Sequence, residues 1–146
     1  MKIAIGADHG GFSLKEEVKK HLDGRFEIID LGCYSTESVD YPIYAEKVAR
    51  AVAEKNADLG ILVCTSGVGM SIAANKIKGI RAALVTNDFC AVKSREHNNA
   101  NVLCLGSANQ NLEDALRFVD LFLNSQFLGD RHSRRVDEIN KLDEEK

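Results

Sequence analysis

Residues 59–69 read LGILVCTSGVG, and this stretch decides the architecture. Residues 59–63 are an unbroken apolar run, the mark of a strand buried on both faces. Cys64-Thr65-Ser66-Gly67-Val68-Gly69 follows as a tight turn. A helix is expected from there through Lys76, with Gly79 as its stop. A buried strand that feeds a helix through a glycine turn is the repeating unit of a parallel α/β sheet.

The same unit recurs on either side. Residues 2–6 form a strand that ends in the turn-prone Ala7-Asp8-His9-Gly10-Gly11. Ser13 and Glu16 have the spacing of a capping box, and Leu14, Val18 and Leu22 share one face of the helix that would follow. Residues 26–31 form a second strand. Pro42 suits the first turn of a helix striped by Ala45, Val48, Ala49 and Val52. Residues 80–85 and 101–105 are the fourth and fifth strands, with a helix over 87–96 between them. Leu112, Leu116, Val119 and Leu123 mark a fifth helix, and Val136, Ile139 and Leu142 a C-terminal one that frays into residues 143–146. Five strand–helix alternations predict an α/β protein. The expected form is a three-layer α/β/α sandwich around a five-stranded parallel, doubly wound, Rossmann-like sheet. The strand order is either 2-1-3-5-4 or 2-1-3-4-5.

The chain has 146 residues, the size of one domain, and a single domain over 1–146 is expected. Its net charge of −3 argues against a general nucleic-acid binder. No apolar run is long enough to span a bilayer and no leader-like pattern opens the chain, so a cytoplasmic protein without membrane partners is expected. Cys33, Cys64, Cys90 and Cys104 form no C-x-x-C pair and His9, His21, His97 and His132 no H-x-x-x-H pair. Neither a metal site nor a cofactor is expected.

In a doubly wound sheet the ligand lies beyond the carboxyl ends of the strands, where strand order reverses. The first strand delivers Asp8 and His9 there, the second Cys33 and Tyr34 with Tyr41 further on, and the third Cys64 through Gly69. Cys64 directly precedes a helix N-terminus, whose unpaired amides favour negative charge and a thiolate. One loop can thus offer both a base and an anion cradle, although a small buried cysteine before an ordinary glycine turn fits the position equally well. The loop is not a Walker A motif, because no Lys follows Gly69, nor a dinucleotide fingerprint, because Ile72 stands where the third glycine belongs. Asp8-His9 reads either as a functional pair or as a hydrogen-bonded turn. His97, at the end of the fourth helix, reads either as an acid/base or as a cap for helix-terminal carbonyls. Arg131 and Arg135, four apart, can clamp a phosphate or form a solvated basic face.

Taken together, six blocks resemble the ribose-5-phosphate isomerase B family of sugar-phosphate isomerases. They are Gly6-Ala7-Asp8-His9-Gly10-Gly11-Phe12; Asp40-Tyr41-Pro42; Cys64 through Lys76; Gly79-Ile80-Arg81-Ala82; His97-Asn98-Asn99-Ala100-Asn101-Val102-Leu103; and Gly129-Asp130-Arg131-His132-Ser133-Arg134-Arg135. The resemblance implies metal-free interconversion of D-ribose 5-phosphate and D-ribulose 5-phosphate through a cis-enediolate, in the non-oxidative pentose phosphate pathway. It implies Cys64 as the base that moves the proton. Ser66 and the amides of Gly67, Val68 and Gly69, in a substrate-binding loop that includes Thr65, would stabilise the enediolate. His97 would open the furanose ring, Asp8 and Asn98 orient hydroxyls, and Tyr41 pack on the sugar. His9, Arg131 and Arg135 would hold the phosphate.

Thr65 and Ala108 depart from the family's common glycine and arginine at those positions. An allose 6-phosphate or galactose 6-phosphate isomerase of the same family is the nearest alternative, and a non-catalytic sugar-phosphate sensor the alternative of another class. Topology adds one expectation. His97 precedes the fifth strand and Cys64 ends the third, so they belong to opposite edges of the sheet. A homodimer with shared sites, or a tetramer built from it, is expected.

Overall fold

The expected alternation is present in the computed structural model, which describes residues 1–145. In chain order the elements are β1 (Lys2–Ala7), α1 (Phe12–Leu22), β2 (Glu27–Asp30), α2 (Tyr41–Ala53), β3 (Leu59–Cys64), α3 (Val68–Ala74), β4 (Ala82–Leu84), α4 (Asp88–Glu96), β5 (Val102–Gly106), α5 (Leu112–Asn124) and α6 (Arg131–Leu142), followed by a 3-10 turn over Asp143–Glu145. The strands pair in parallel in the order β2-β1-β3-β5-β4, the first of the two expected orders.

Side-chain alternation along the central strands divides the interior in two. Ile3, Ile5, Ile61, Val63, Leu103 and Leu105 face α1 and α5, where they meet Leu14, Val18, Phe118 and Phe122. Ala4, Leu62, Cys64, Val102 and Cys104 face α2 and α3, against Val48, Ala49, Met70 and Ala74. Cys64 therefore points to the side of the sheet from which α2 brings Tyr41.

Two local expectations are corrected. Ser13 and Glu16 form no capping box: α1 begins at Phe12 after Gly11, with no side-chain cap bond. The Gly11 amide is taken by Asp8 Oδ1 at 3.0 Å, and Glu16 turns to Lys15 and Lys19 instead. The third helix stops at Ala74 rather than Lys76, and Gly79, at φ +88°, turns the chain toward β4 after an intervening turn. Helix α6 is present where its apolar spacing places it, with Val136 buried and Ile139 and Leu142 42% and 59% exposed. Of the residues expected to fray, 143–145 form the 3-10 turn and Lys146 lies outside the described residues.

One charge sits within the core. Lys15 is fully buried in α1, and its Nζ donates to both carboxylate oxygens of Asp30, at 2.8 and 2.7 Å. Burial alone would push the Asp30 carboxyl up, but hydrogen bonds from Lys15, Lys19 and the Gly32 amide hold it below its usual range. Gly32 in turn accepts from the Ala7 amide, and Cys33 donates to the Ala7 carbonyl at 2.8 Å. The ion pair thereby anchors the chain leaving β2 beside the end of β1, immediately before Asp8.

Asp30→Ala should lower the unfolding free energy by up to about 3–5 kcal/mol in urea melts at neutral pH, because the buried Lys15 charge is then left only the part-exposed Glu16 carboxylate at 3.2 Å. Lys19→Ala, at a 32% exposed side chain, should cost less than about 1 kcal/mol. Since the Asp30 carboxyl is held below 3.8, its contribution is complete above that value and disappears as pH falls through the lower folded-state value. Equal melts for the two variants would rule out the clamp.

Candidate active site

The turn after β3 is built around Gly67. Its φ of +77° is left-handed, and a β-carbon there would meet Leu84 Cδ1 at 2.5 Å and the Leu105 carbonyl carbon at 2.9 Å. Glycine alone fits. The turn aims the Gly67 amide at Cys64, whose Sγ accepts that N–H at 3.1 Å. The next amide, of Val68, donates to Ser66 Oγ at 3.3 Å. Two of the three amides expected to face a substrate are thus directed onto the cysteine and serine themselves.

The loop after β5 props this turn from behind. Ser107 N–H donates to the Cys64 carbonyl at 2.8 Å and Ala108 N–H to the Thr65 carbonyl at 3.0 Å. Asn109 Nδ2 donates to the Ser66 carbonyl at 2.9 Å. Ala108 therefore contributes its backbone here, and a side chain is not needed for this support.

Above the turn lies an open cavity of about 400 Å³, lined by Asp8, Tyr41, Cys64, Thr65, Ser66, Val68, Gly69 and Ile72. Asp8 is 7% exposed and Cys64 5%, so both look into it from its floor. Thr65 fills the space beside Gly10, where a β-carbon would come within 2.2 Å of its Oγ1. The Tyr41 ring lies against Gly69, whose β-carbon would be 2.7 Å from Cε2 and Cζ. His9 adjoins the cavity through Asp8, and its Nδ1 accepts the Val39 amide at 3.2 Å, which leaves Nε2 for a ligand. Ile72 was not singled out in the sequence, although it lies one helical turn from Val68.

His97, Asn98, Arg131 and Arg135 do not line this cavity. They gather where α4 ends and α6 begins. The His97 ring stacks on His132 with centroids 4.1 Å apart and planes 14° from parallel. The Leu128 amide, just before α6, donates to the Glu96 carbonyl at 3.0 Å. Asn98 lines a separate cleft of about 260 Å³ with Arg81, Ser94 and Ile139. His132 lay within the basic run but carried no role in the sequence reading. Partial burial, then the neighbouring His97 ring and the positive charges of Arg131 and Arg135, hold its imidazole below the usual range, against Asp130. The two groups are kept apart by the sheet. Cys64 is in register with Gly106, and the chain from His97 enters β5 at Val102, four strand steps away. Those steps alone span roughly 13 Å.

Among the described residues no group of three His, Cys, Asp or Glu is placed to hold a metal ion, and no helix is long and apolar enough to cross a membrane.

Residues 3–139 match the model of the family described as Ribose/Galactose Isomerase. The chain is 49% identical to ribose-5-phosphate isomerase B of Escherichia coli over 144 residues, covering 98% of this chain and 97% of that protein. It superposes on ribose-5-phosphate isomerase B of Clostridium thermocellum with a TM-score of 0.98 at 49% identity, covering 99% of each chain. It superposes on the Mycoplasma genitalium enzyme with bound ribulose-5-phosphate with a TM-score of 0.93 at 43% identity, covering 99% of this chain and 97% of that one.

The charges around His132 make a test of this second group. By NMR its ring should titrate below 6.5, and Arg131→Gln with Arg135→Gln should move it back toward that value. An unmoved titration would mean that the arginines do not face the stacked pair.

Proposed function

The chain belongs to the ribose/galactose isomerase family, and on that premise we propose how its residues share the interconversion of ribose 5-phosphate and ribulose 5-phosphate. The reaction moves one proton between C2 and C1 after the furanose ring has opened. The proton alpha to the carbonyl is weakly acidic, so the base must be strong enough and the enediolate charge must be neutralised.

Cys64 is the base. Its Sγ takes the C2 proton of the open aldose, the C2–H electrons form the C1–C2 double bond, and the carbonyl pair moves onto O1. The O2 hydroxyl proton passes to O1, the O2 pair closes the C2 carbonyl, and the C1–C2 double-bond pair takes the proton back from the same sulfur at C1. The Gly67 amide donates to this sulfur at 3.1 Å and holds it in place between turnovers. The Ser66 hydroxyl, whose oxygen accepts the Val68 amide, and the Gly69 amide stabilise the oxygen charge of the cis-enediolate. Asp8 orients hydroxyls from the floor and Tyr41 covers the sugar. No metal or cofactor takes part in this scheme.

His97 opens the ring by taking the proton of the anomeric hydroxyl and delivering it to the ring oxygen O4 as the C1–O4 bond breaks and the C1 carbonyl forms. Asn98 orients the hydroxyls beside it, and His9, Arg131 and Arg135 grip the phosphate. Since His97 and Cys64 of one chain stand at opposite edges of the sheet, each site takes its ring-opening half from a second copy in a two-fold dimer. Exposed Val68 and Ile72 on the cavity rim, and Ile139 and Leu142 on α6, supply the apolar surface such a dimer would bury. The observation that carries the reading is the convergence of Asp8, Tyr41, Cys64, Thr65, Ser66 and Gly69 on one cavity. The hexose 6-phosphate alternatives are not favoured by relatives that bear the pentose name.

Cys64→Ala should lose roughly 10²–10⁴-fold in ribose 5-phosphate turnover, and EDTA should leave the unsubstituted enzyme unaffected. Full activity in Cys64→Ala would remove the base. Mixing inactive Cys64→Ala and His97→Ala proteins should restore about a quarter of normal activity, because random exchange makes half the dimers hybrid, each with one intact site. No recovery, with exchange verified by mass spectrometry, would refute the shared site.

A further inference from the structure

Two guanidinium groups lie behind the loop that carries His97 and Asn98, and none of the steps above uses them. Arg95 donates to the carbonyl of Ala100. Arg81, just before β4, donates from Nε to the carbonyl of Asn99 at 2.8 Å and from Nη1 to Asn140 Oδ1 at 3.0 Å. The first contact holds the residue that directly follows Asn98. The second reaches α6, the helix of Arg131, His132 and Arg135. The backbone of Arg81 is itself fixed, since its N–H donates to Asn101 Oδ1 at 2.8 Å and its carbonyl accepts the Asn101 amide at 2.9 Å.

The gripped residue is unusual. Asn99 has φ +50°, a left-handed conformation that surrounding structure must hold in place. A planar guanidinium with donors in fixed directions suits this task, because one rigid group can serve two acceptors on different elements. The side chain lines the same cleft as Asn98 and is half-buried, so its bonds are partly shielded from water.

We infer that Arg81 is a positioning residue for ring opening, holding the His97–Asn98 loop in register with the phosphate-gripping face of α6. It touches none of the residues around Cys64 that move the carbon-bound proton. The inference rests on the division of labour proposed above and extends it. An imidazole must sit within hydrogen-bond reach of the hydroxyl it deprotonates. Release of the loop should therefore damage ring opening and spare proton transfer at carbon.

The two half-reactions can be read separately. Ribulose 5-phosphate cannot form a furanose, because its O5 carries the phosphate. Exchange of its C1 proton with D2O, followed by NMR at saturating substrate, reports proton transfer at Cys64 without any ring step. In Arg81→Ala, turnover of ribose 5-phosphate should fall about 10²-fold, as in His97→Ala, while C1 exchange stays within about threefold of the unsubstituted enzyme. Arg81→Lys, which keeps the charge and the fold but cannot serve both acceptors, should show the same split to a lesser degree. Cys64→Ala should lose both signals. Loss of both, or of neither, in the Arg81 variants overturns the positioning role. If His97→Ala turns over ribose 5-phosphate normally, the ring-opening assignment itself falls and takes this inference with it. If His97→Ala shows the split and the Arg81 variants do not, only the role of Arg81 is rejected.

Discussion

The contact on which the rest of the site depends is the hydrogen bond from the Gly67 amide to Cys64 Sγ. It exists because a buried parallel strand must end where its partners end, and the chain must then turn at once into a helix. The turn requires a left-handed residue with no side chain, and Gly67 meets both demands against Leu84 and Leu105. A thiol placed there meets a directed amide at no extra conformational expense. Support comes from the next strand: the loop after β5 fastens the carbonyls of Cys64, Thr65 and Ser66, so the turn is held from both sides.

The same parallel sheet that gathers the Cys64 cavity at one edge keeps His97 at the other. Every strand enters at one edge and leaves at the opposite one. A residue that precedes β5 cannot approach a residue that follows β3 without crossing the sheet. A small chain of this architecture with chemistry at both edges must use two copies, or leave one half idle. The half-exposed apolar stripe of α6 and the exposed rim of the Cys64 cavity are consistent with the first solution. Buried charge serves placement in both halves. The Lys15–Asp30 pair sets the chain beside Asp8, and Arg81 sets the loop beside His97.

Much of this was legible in the residues. Apolar runs located the five strands to within a residue or two at each end, and the i, i+4 stripes of α1 and α2 named buried residues that are indeed buried. The boundaries that shifted did so for local reasons. Asp8, rather than Ser13, satisfies the start of α1, and side-chain spacing alone could not rank two rival hydrogen-bond acceptors. The cavity residues were legible because loops at one sheet edge are brought together by the fold class itself. Ile72 and Arg81 were not, since an apolar residue on a helix and an arginine before a strand look the same whether or not they border a site.

By itself the sequence determined the fold class and the edge of the sheet where Cys64 lies, because these follow from hydrophobic periodicity and short-range backbone geometry. Only the tertiary structure decided which of two strand orders is used, since pairing β5 rather than β4 beside β3 depends on packing between distant segments. It alone decided that the Gly67 amide serves the sulfur, that His97 stacks on His132 and that Arg81 joins Asn99 to Asn140. Those contacts are set by directions of individual bonds, and a linear pattern of residue types does not carry them.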